Sequence, residues 1–143
     1  MTSVQPRFTD GPRTYTAGET IEGGQLVEAR AGSVIGVAGD ASKKVLGVAQ
    51  KKAVLGTGLN PRVADGTGVL DATLAPSEVA VICDAHVPVT YSAACAFGAL
   101  VAAAANGQVR PWVSGDGADA IVGRCVELAG VALGAVGLTR INL

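Results

Sequence analysis

Gly24-Gln25-Leu26-Val27 and Gly98-Ala99-Leu100-Val101 open two stretches of this chain that run in parallel. The first continues through Gly32-Ser33-Val34 and Gly39-Asp40-Ala41 to Val45-Leu46-Gly47-Val48-Ala49. The second continues through Gly107-Gln108-Val109 and Gly115-Asp116-Gly117 to Ile121-Val122-Gly123-Arg124-Cys125. Their separation drifts only from 74 to 76 positions (98 less 24 at the first block, 121 less 45 at the last). The slips fall between blocks, where loops tolerate insertions. Each copy has Val-rich segments of strand length punctuated by Gly, Asp and Asn, the pattern of short strands joined by tight turns. Two copies are too few for a solenoid. They fit two similar β-units closing one small barrel or sandwich, so the fold class is mainly β.

Working outward, the predicted strands are Arg13–Thr16, Gln25–Arg30, Ser33–Val37, Val45–Gln50, Val69–Thr73, Val79–Cys83, Val87–Tyr91, Ala99–Ala104, Gln108–Val113, Ile121–Leu128 and Gly137–Asn142. The second and third read as a hairpin around Ala31-Gly32. By the repeat, Ala99–Ala104 and Gln108–Val113 form a hairpin around Asn106-Gly107, a favoured hairpin-turn dipeptide. Ser92–Ala105 is ambiguous. Its alanines favour helix, with Ser92 as an N-cap and Gly107 past the end. The repeat favours strand from Ala99 onward, leaving at most a short helical turn in Ser92–Phe97. Met1–Pro12 is polar and broken by Pro6, Gly11 and Pro12, so it reads as an extended arm before a single β domain spanning 13–143. Gly56–Glu78 is a long connection between the copies, either functional or ordered by a partner.

With 143 residues the chain has the length of one domain. Hydrophobic residues make up 49% and mean hydropathy is +0.41, which excludes disorder over most of it. Charged residues are 16%, below the usual share of about a quarter, which points to surface hidden against partners. A net charge of −1 and a pI of 5.7 supply no general attraction to nucleic acid. The longest apolar stretch, Ala93–Ala105, contains Gly98 and falls short of the about 18 residues a membrane helix needs. The N-terminus lacks the apolar core of a secretory leader. Cys83, Cys95 and Cys125, odd in number and widely spaced, fit buried, reduced thiols in a protein made in a cytoplasm.

Chemistry-bearing motifs are sparse. The single histidine, His86, follows Asp84 by two residues, which puts both on one face of a strand. A nucleophile such as Ser92 or Cys95 would have to join them for acyl transfer; an ordinary histidine at a strand start is the alternative. There is no Cys-x-x-Cys and no second histidine for a zinc site. Gly115-Asp116-Gly117-Ala118-Asp119 lacks the alternating ligands of a calcium loop and reads as a turn. Gly56-Thr57-Gly58-Leu59-Asn60-Pro61 lacks the third glycine and the Gly-Lys-Ser/Thr of a phosphate loop. Lys43-Lys44 and Lys51-Lys52 bracket a strand, as a solvated strand end or a guarded edge, or as a contact to an acidic partner surface. No catalytic, cofactor or metal residues are assigned, and an enzyme is the poorer reading.

Gly24-x-Leu26-Val27, Gly32-x-Val34 and Val45-Leu46-Gly47-Val48-Ala49 resemble the small head decoration, or capsid cement, proteins of tailed bacteriophages. So do Val79-Ala80-Val81, Gly98-Ala99-Leu100-Val101, Asn106-Gly107-x-Val109, Ile121–Glu127 and the closing Gly137–Leu143. The resemblance spans about Tyr15 to Leu143. It implies a small β-barrel or β-tulip, often trimeric, without catalytic residues. It also implies binding to the major capsid protein on the outer surface of the virion shell, clamping neighbouring capsomers together. In that setting the arm is an added strand anchored by Phe8, with Val4, Arg7 and Arg13 beside it, and Lys51 and Lys52 as further contacts. Two other readings stay open. One is a carbohydrate- or surface-binding β-sandwich using Tyr15, Tyr91 and Trp112. The other is a small β-barrel enzyme using Asp84 and His86.

Overall fold

The computed structural model describes residues 11–53 and 77–143. Ten strands follow in order: β1 (Arg13–Ala17), β2 (Leu26–Arg30), β3 (Val34–Val37), β4 (Val45–Ala49), β5 (Glu78–Ile82), β6 (Asp84–Thr90), β7 (Leu100–Ala103), β8 (Val109–Pro111), β9 (Ile121–Cys125) and β10 (Val136–Asn142). Among the described residues the only helical pieces are single 3₁₀ turns at Ala105–Gly107, Ser114–Asp116 and Ala118–Ala120. The chain is mainly β, as its Val-rich segments predict. The strand expected at Val69–Thr73 lies outside the described residues.

Strands β1–β5 close a barrel in the order β1-β3-β2-β4-β5, and β6–β10 form a second sheet in the order β6-β10-β9-β7-β8. The two obey one pairing plan. β2 pairs antiparallel with β3 and β4, and β7 pairs antiparallel with β8 and β9. The register slips just after Val27 in one unit and just after Val101 in the other. β5 lies antiparallel between β4 and β1, as β10 lies between β9 and β6. β1 runs parallel to β3, and Tyr91, directly after β6, makes a parallel bridge to Val109 in β8. Ile21 bridges Ala53, and Cys95 bridges Val131.

One glycine per unit lets the strands approach at the register slip. Gly47 faces Val27 and Gly123 faces Val101. A Cβ on Gly47 would run into the Ile82 carbonyl oxygen, and one on Gly123 into that of Arg140. Alanine-rich Leu100–Ala103 is a strand because it pairs on both sides, and such tertiary pairing overrides helix propensity. The segment allowed a helical turn, Ser92–Phe97, has none. The Ser92 amide donates to Val109 O and Cys95 bridges Val131, so this backbone is spent on the second unit's pairing rather than on itself.

Side chains alternate as a closed sheet requires. Ala17, Ile21, Val27, Ile35, Ala49, Ala53, Val79 and Val81 fill the first barrel. The counterparts inside the second sheet are Tyr91, Cys95, Val101, Val109, Cys125, Val131, Gly137 and Thr139, all buried. A second apolar cluster joins that interior to Leu26, Ala38 and Val48, which project from the outside of the first barrel. Among the described residues the side of β6 away from β10 carries only the Tyr91 bridge, and Pro88, which has no N–H to donate, sits in that strand.

Candidate functional site

The contact between the units is polar at its rim and built from turns. The Asn106-Gly107 turn presses on the first barrel: Gly107 N donates to Ala38 O at 3.1 Å, and Gln25 Nε2 donates to Asn106 O at 3.0 Å. Both turn residues take positive φ, 60° at Asn106 and 68° at Gly107. A Cβ on Gly107 would lie 2.8 Å from Leu26 O, so only glycine fits against the neighbouring backbone. A depression of about 470 Å³ follows this rim, lined by Glu22, Gln25, Pro88, Thr90 and Asn106 among others.

An ionic clasp crosses the same junction. Arg110 Nε donates to Asp40 Oδ1 at 2.7 Å, and Arg110 Nη1 and Nη2 grip the Asp116 carboxylate at 2.8 and 2.9 Å. Lys43 reaches Asp119 at 3.1 Å. The Arg110 bonds, followed by the Val113 amide, pull the Asp116 carboxyl down to about 2. The same bonds, Asp116 first and then Asp40, hold Arg110 still more firmly in its charged form. Glu28 fixes the turn that carries Asp40. Its carboxylate takes the Gly39 amide at 3.2 Å and pairs with Arg30 at 3.0 Å. Burial pushes its pKa up, but hydrogen bonds from Ser42 and Gly39 and the charges of Arg30 and Lys44 outweigh that and lower it.

The sequence-predicted chemistry is not brought together. Asp84 and His86 share the exposed face of β6, where His86 stands opposite Arg140 and Asp84 opposite Asn142. Ser92 Oγ donates to Val109 O at 3.4 Å. The Cys95 thiol is buried, and that desolvation, with Cys125 beside it, pushes its pKa up to about 11. A thiol held neutral in a buried apolar interior is not a nucleophile. Cys95 and Cys125 are buried as expected, while Cys83 is only half-buried. All three are free thiols. Asp116 and Asp119 are committed to Arg110 and Lys43, and no group of three metal-ligating side chains occurs among the described residues.

Tyr91 lies wholly inside the second sheet, its hydroxyl 2.5 Å from Thr139 Oγ1, so it offers no stacking surface for sugar. Burial raises its pKa. Trp112 donates its indole N–H to Gly117 O at 2.8 Å.

Of the residues assigned to partner contact, Val4, Arg7 and Phe8 lie outside the described residues, as do the Gly56–Pro61 motif and most of the Gly56–Glu78 connection. Arg13 begins β1, exposed and opposite Val81. Lys51 and Lys52 are exposed, and Lys52 pairs with Glu22 at 2.7 Å. The lysine pairs do not guard an edge, because β4 is paired on both sides.

The sequence reading missed an apolar end on the second unit. Phe97, Leu128 and Leu133 are 57%, 84% and 72% exposed on segments tied together by the Cys95–Val131 bridge. The first unit has Gly23 and Lys52 in place of Phe97 and Leu128. The repeat alignment supplied the signal, since it sets Glu127-Leu128 against Lys51-Lys52.

No protein-family model and no curated protein matches this sequence. Among solved structures, the chain is similar to the head fiber gp8.5 N base of bacteriophage phi29, with a TM-score of 0.59 over 92% of each chain at 14% sequence identity. The fold, two five-stranded units in tandem, is thus one that also occurs in the base of a phage head fiber.

Proposed function

We propose that the chain is a structural protein of a tailed-phage virion that decorates the outside of the head. It binds the major capsid protein and holds neighbouring capsomers together. The observation that carries this is the likeness over 92% of the chain to a phage head fiber base. The glycine-spaced strand motifs that resemble head decoration proteins support the same reading independently. No catalysis and no cofactor belong to it.

Large exposed apolar side chains fit a protein made to be covered. Phe97, Val113, Leu128, Leu133, Val136, Leu138 and Leu143 all belong to the second unit among the described residues. Interface cores are enriched in such residues and depleted of charge. We assign part of this surface to self-association as a homotrimer and part to the shell, where many repeated shallow contacts add up by avidity. The arm with Val4, Arg7 and Phe8, followed by Arg13, is assigned to the shell, together with Lys51 and Lys52. Lys52 is already held by Glu22, so Lys51 is the freer cation of the two.

Co-sedimentation with expanded shells of the same phage tests this reading. Saturable binding, with a mass near three protomers on or off the shell, is the expected result. Failure to pellet with shells would overturn it.

A further inference from the structure

The first barrel shows what one face of this unit is for. Leu26, Val48 and Ile82 stand side by side on the outside of that barrel, since Leu26 is opposite Val48 and Val48 opposite Ile82. Outward residues of a small barrel normally meet water. Leu26 and Val48 are instead fully buried, in the cluster that holds the interior of the second sheet, with Ile82 and Val45 packed against it. This face of the unit is therefore an interface within the chain.

The matching face of the second unit is open. Leu100 is opposite Arg124, and Arg124 is opposite Arg140, so the two arginines take the places of Val48 and Ile82. Ile121 replaces Val45 and keeps the apolar floor. Leu100, Ile121, Gly123, Arg124, Arg140 and Asn142 line a depression of about 420 Å³. His86, opposite Arg140, extends the row onto β6. Asp84 is the acid on the same face, opposite Asn142. Among the described residues neither Arg124 nor Arg140 has an ion-pair partner.

Like charges directly opposite on a sheet are destabilising, with Cβ atoms about 5 Å apart. Two guanidinium forks at that spacing match a carboxylate, which they can grip through paired N–H donors. We infer that this face docks an acidic segment of the capsid protein, with Arg124 and Arg140 clamping its carboxylates and Leu100 and Ile121 receiving an apolar side chain beside them. The inference rests on the capsid-binding reading and names the surface that performs it.

The test is shell co-sedimentation of the wild-type protein, Arg124→Glu/Arg140→Glu and Arg124→Gln/Arg140→Gln, with fold and mass checked by circular dichroism and light scattering. The charge-reversed variant should stay folded, keep its oligomeric mass and bind shells roughly thirtyfold more weakly. The glutamine variant should bind at an intermediate level and lose less affinity with added salt than the wild type. If charge reversal unfolds the protein, the glutamine variant and its salt slope decide. Equal binding by wild type and variants overturns this inference and leaves the capsid reading standing. A changed oligomeric mass with unchanged shell binding also overturns it, because the face is then a contact between copies of this chain. A wild-type protein that does not bind shells overturns both.

Discussion

The two halves of this chain share a strand plan but are filled by different means. The first barrel uses Ala17, Ala53, Val79 and Val81 where the second uses Tyr91, Val131, Gly137 and Thr139. The Val131 side chain takes the room given up at Gly137, and the Tyr91 hydroxyl finds Thr139 where the first barrel has Val81. Outside, the contrast reverses. The first barrel hides Leu26 and Val48 against its neighbour, while the second exposes Arg124, Arg140, Phe97 and Leu128. The two units share the backbone rule and differ in their side chains. One copy supplies the internal joint, and the matching face of the other is open.

The strongest way to break that comparison is to remove the tyrosine. Tyr91→Ala should cost about 3–5 kcal/mol in denaturant unfolding, from lost burial plus a cavity. If the interiors are alternative solutions of one volume, the first barrel's set should partly rescue it. The combination Tyr91→Ala, Val131→Ala, Gly137→Val and Thr139→Val should then be more stable than Tyr91→Ala alone. A combination no better than the single variant would mean that the two interiors are not interchangeable.

Next in size are the paired glycines. Gly47→Ala and Gly123→Ala each drive a methyl into a carbonyl of the next strand, Ile82 or Arg140. Each should lose roughly 3 kcal/mol or fail to fold. Gly47 also has φ of +148°, so its loss should be at least as large. A tolerated alanine at either site would show that the register slip in that unit relaxes.

These glycines also mark how far the sequence could be read. Gly47 and Gly123 stand out in the raw pattern because the backbone geometry permits nothing else there. Ten of the predicted strands coincide with observed ones, with ends shifted by a few residues, because alternation of apolar and polar residues encodes which face is buried. What stayed hidden was the relation between units. Leu26 and Val48 look like any strand residues in the sequence, and only the packing reveals that they face outward and yet are covered. The clasp was equally illegible. Asp40 meets Arg110 from 70 positions away, and Gly115-Asp116-Gly117, which holds the other end of that guanidinium, reads locally as no more than a turn. Candidate sites chosen by residue type alone, such as Asp84 with His86, had no way to register that Ser92 and Cys95 were already committed.

Arg110→Ala removes the clasp between the units and should lower the melting temperature by a few degrees. Its pH signature has a definite sign. The Asp116 carboxyl is depressed from 3.8 to about 2, so its contribution is complete at neutral pH. It disappears as pH falls through that interval, because protonation breaks the grip of Arg110. In Arg110→Ala that part of the acid destabilisation should be missing. Identical acid profiles in the two proteins would show that the clasp adds nothing to the joint.

The smallest effect has the opposite sign. Arg124 and Arg140 face each other on β9 and β10, and among the described residues neither has a counter-charge. Replacing one with glutamine keeps the side-chain stem and removes the repulsion. Arg124→Gln should therefore stabilise the isolated protein by about 0.2–1 kcal/mol at low ionic strength, read as a small rise in melting temperature. At about 1 M salt, where charges are screened beyond roughly 3 Å, the gain should vanish. The matched position in the first barrel, Val48, is an apolar part of the joint, so Val48→Gln should do the reverse and destabilise at every salt concentration. A loss of stability in Arg124→Gln would mean that the arginine is held by contacts within its own sheet and is not kept for a partner.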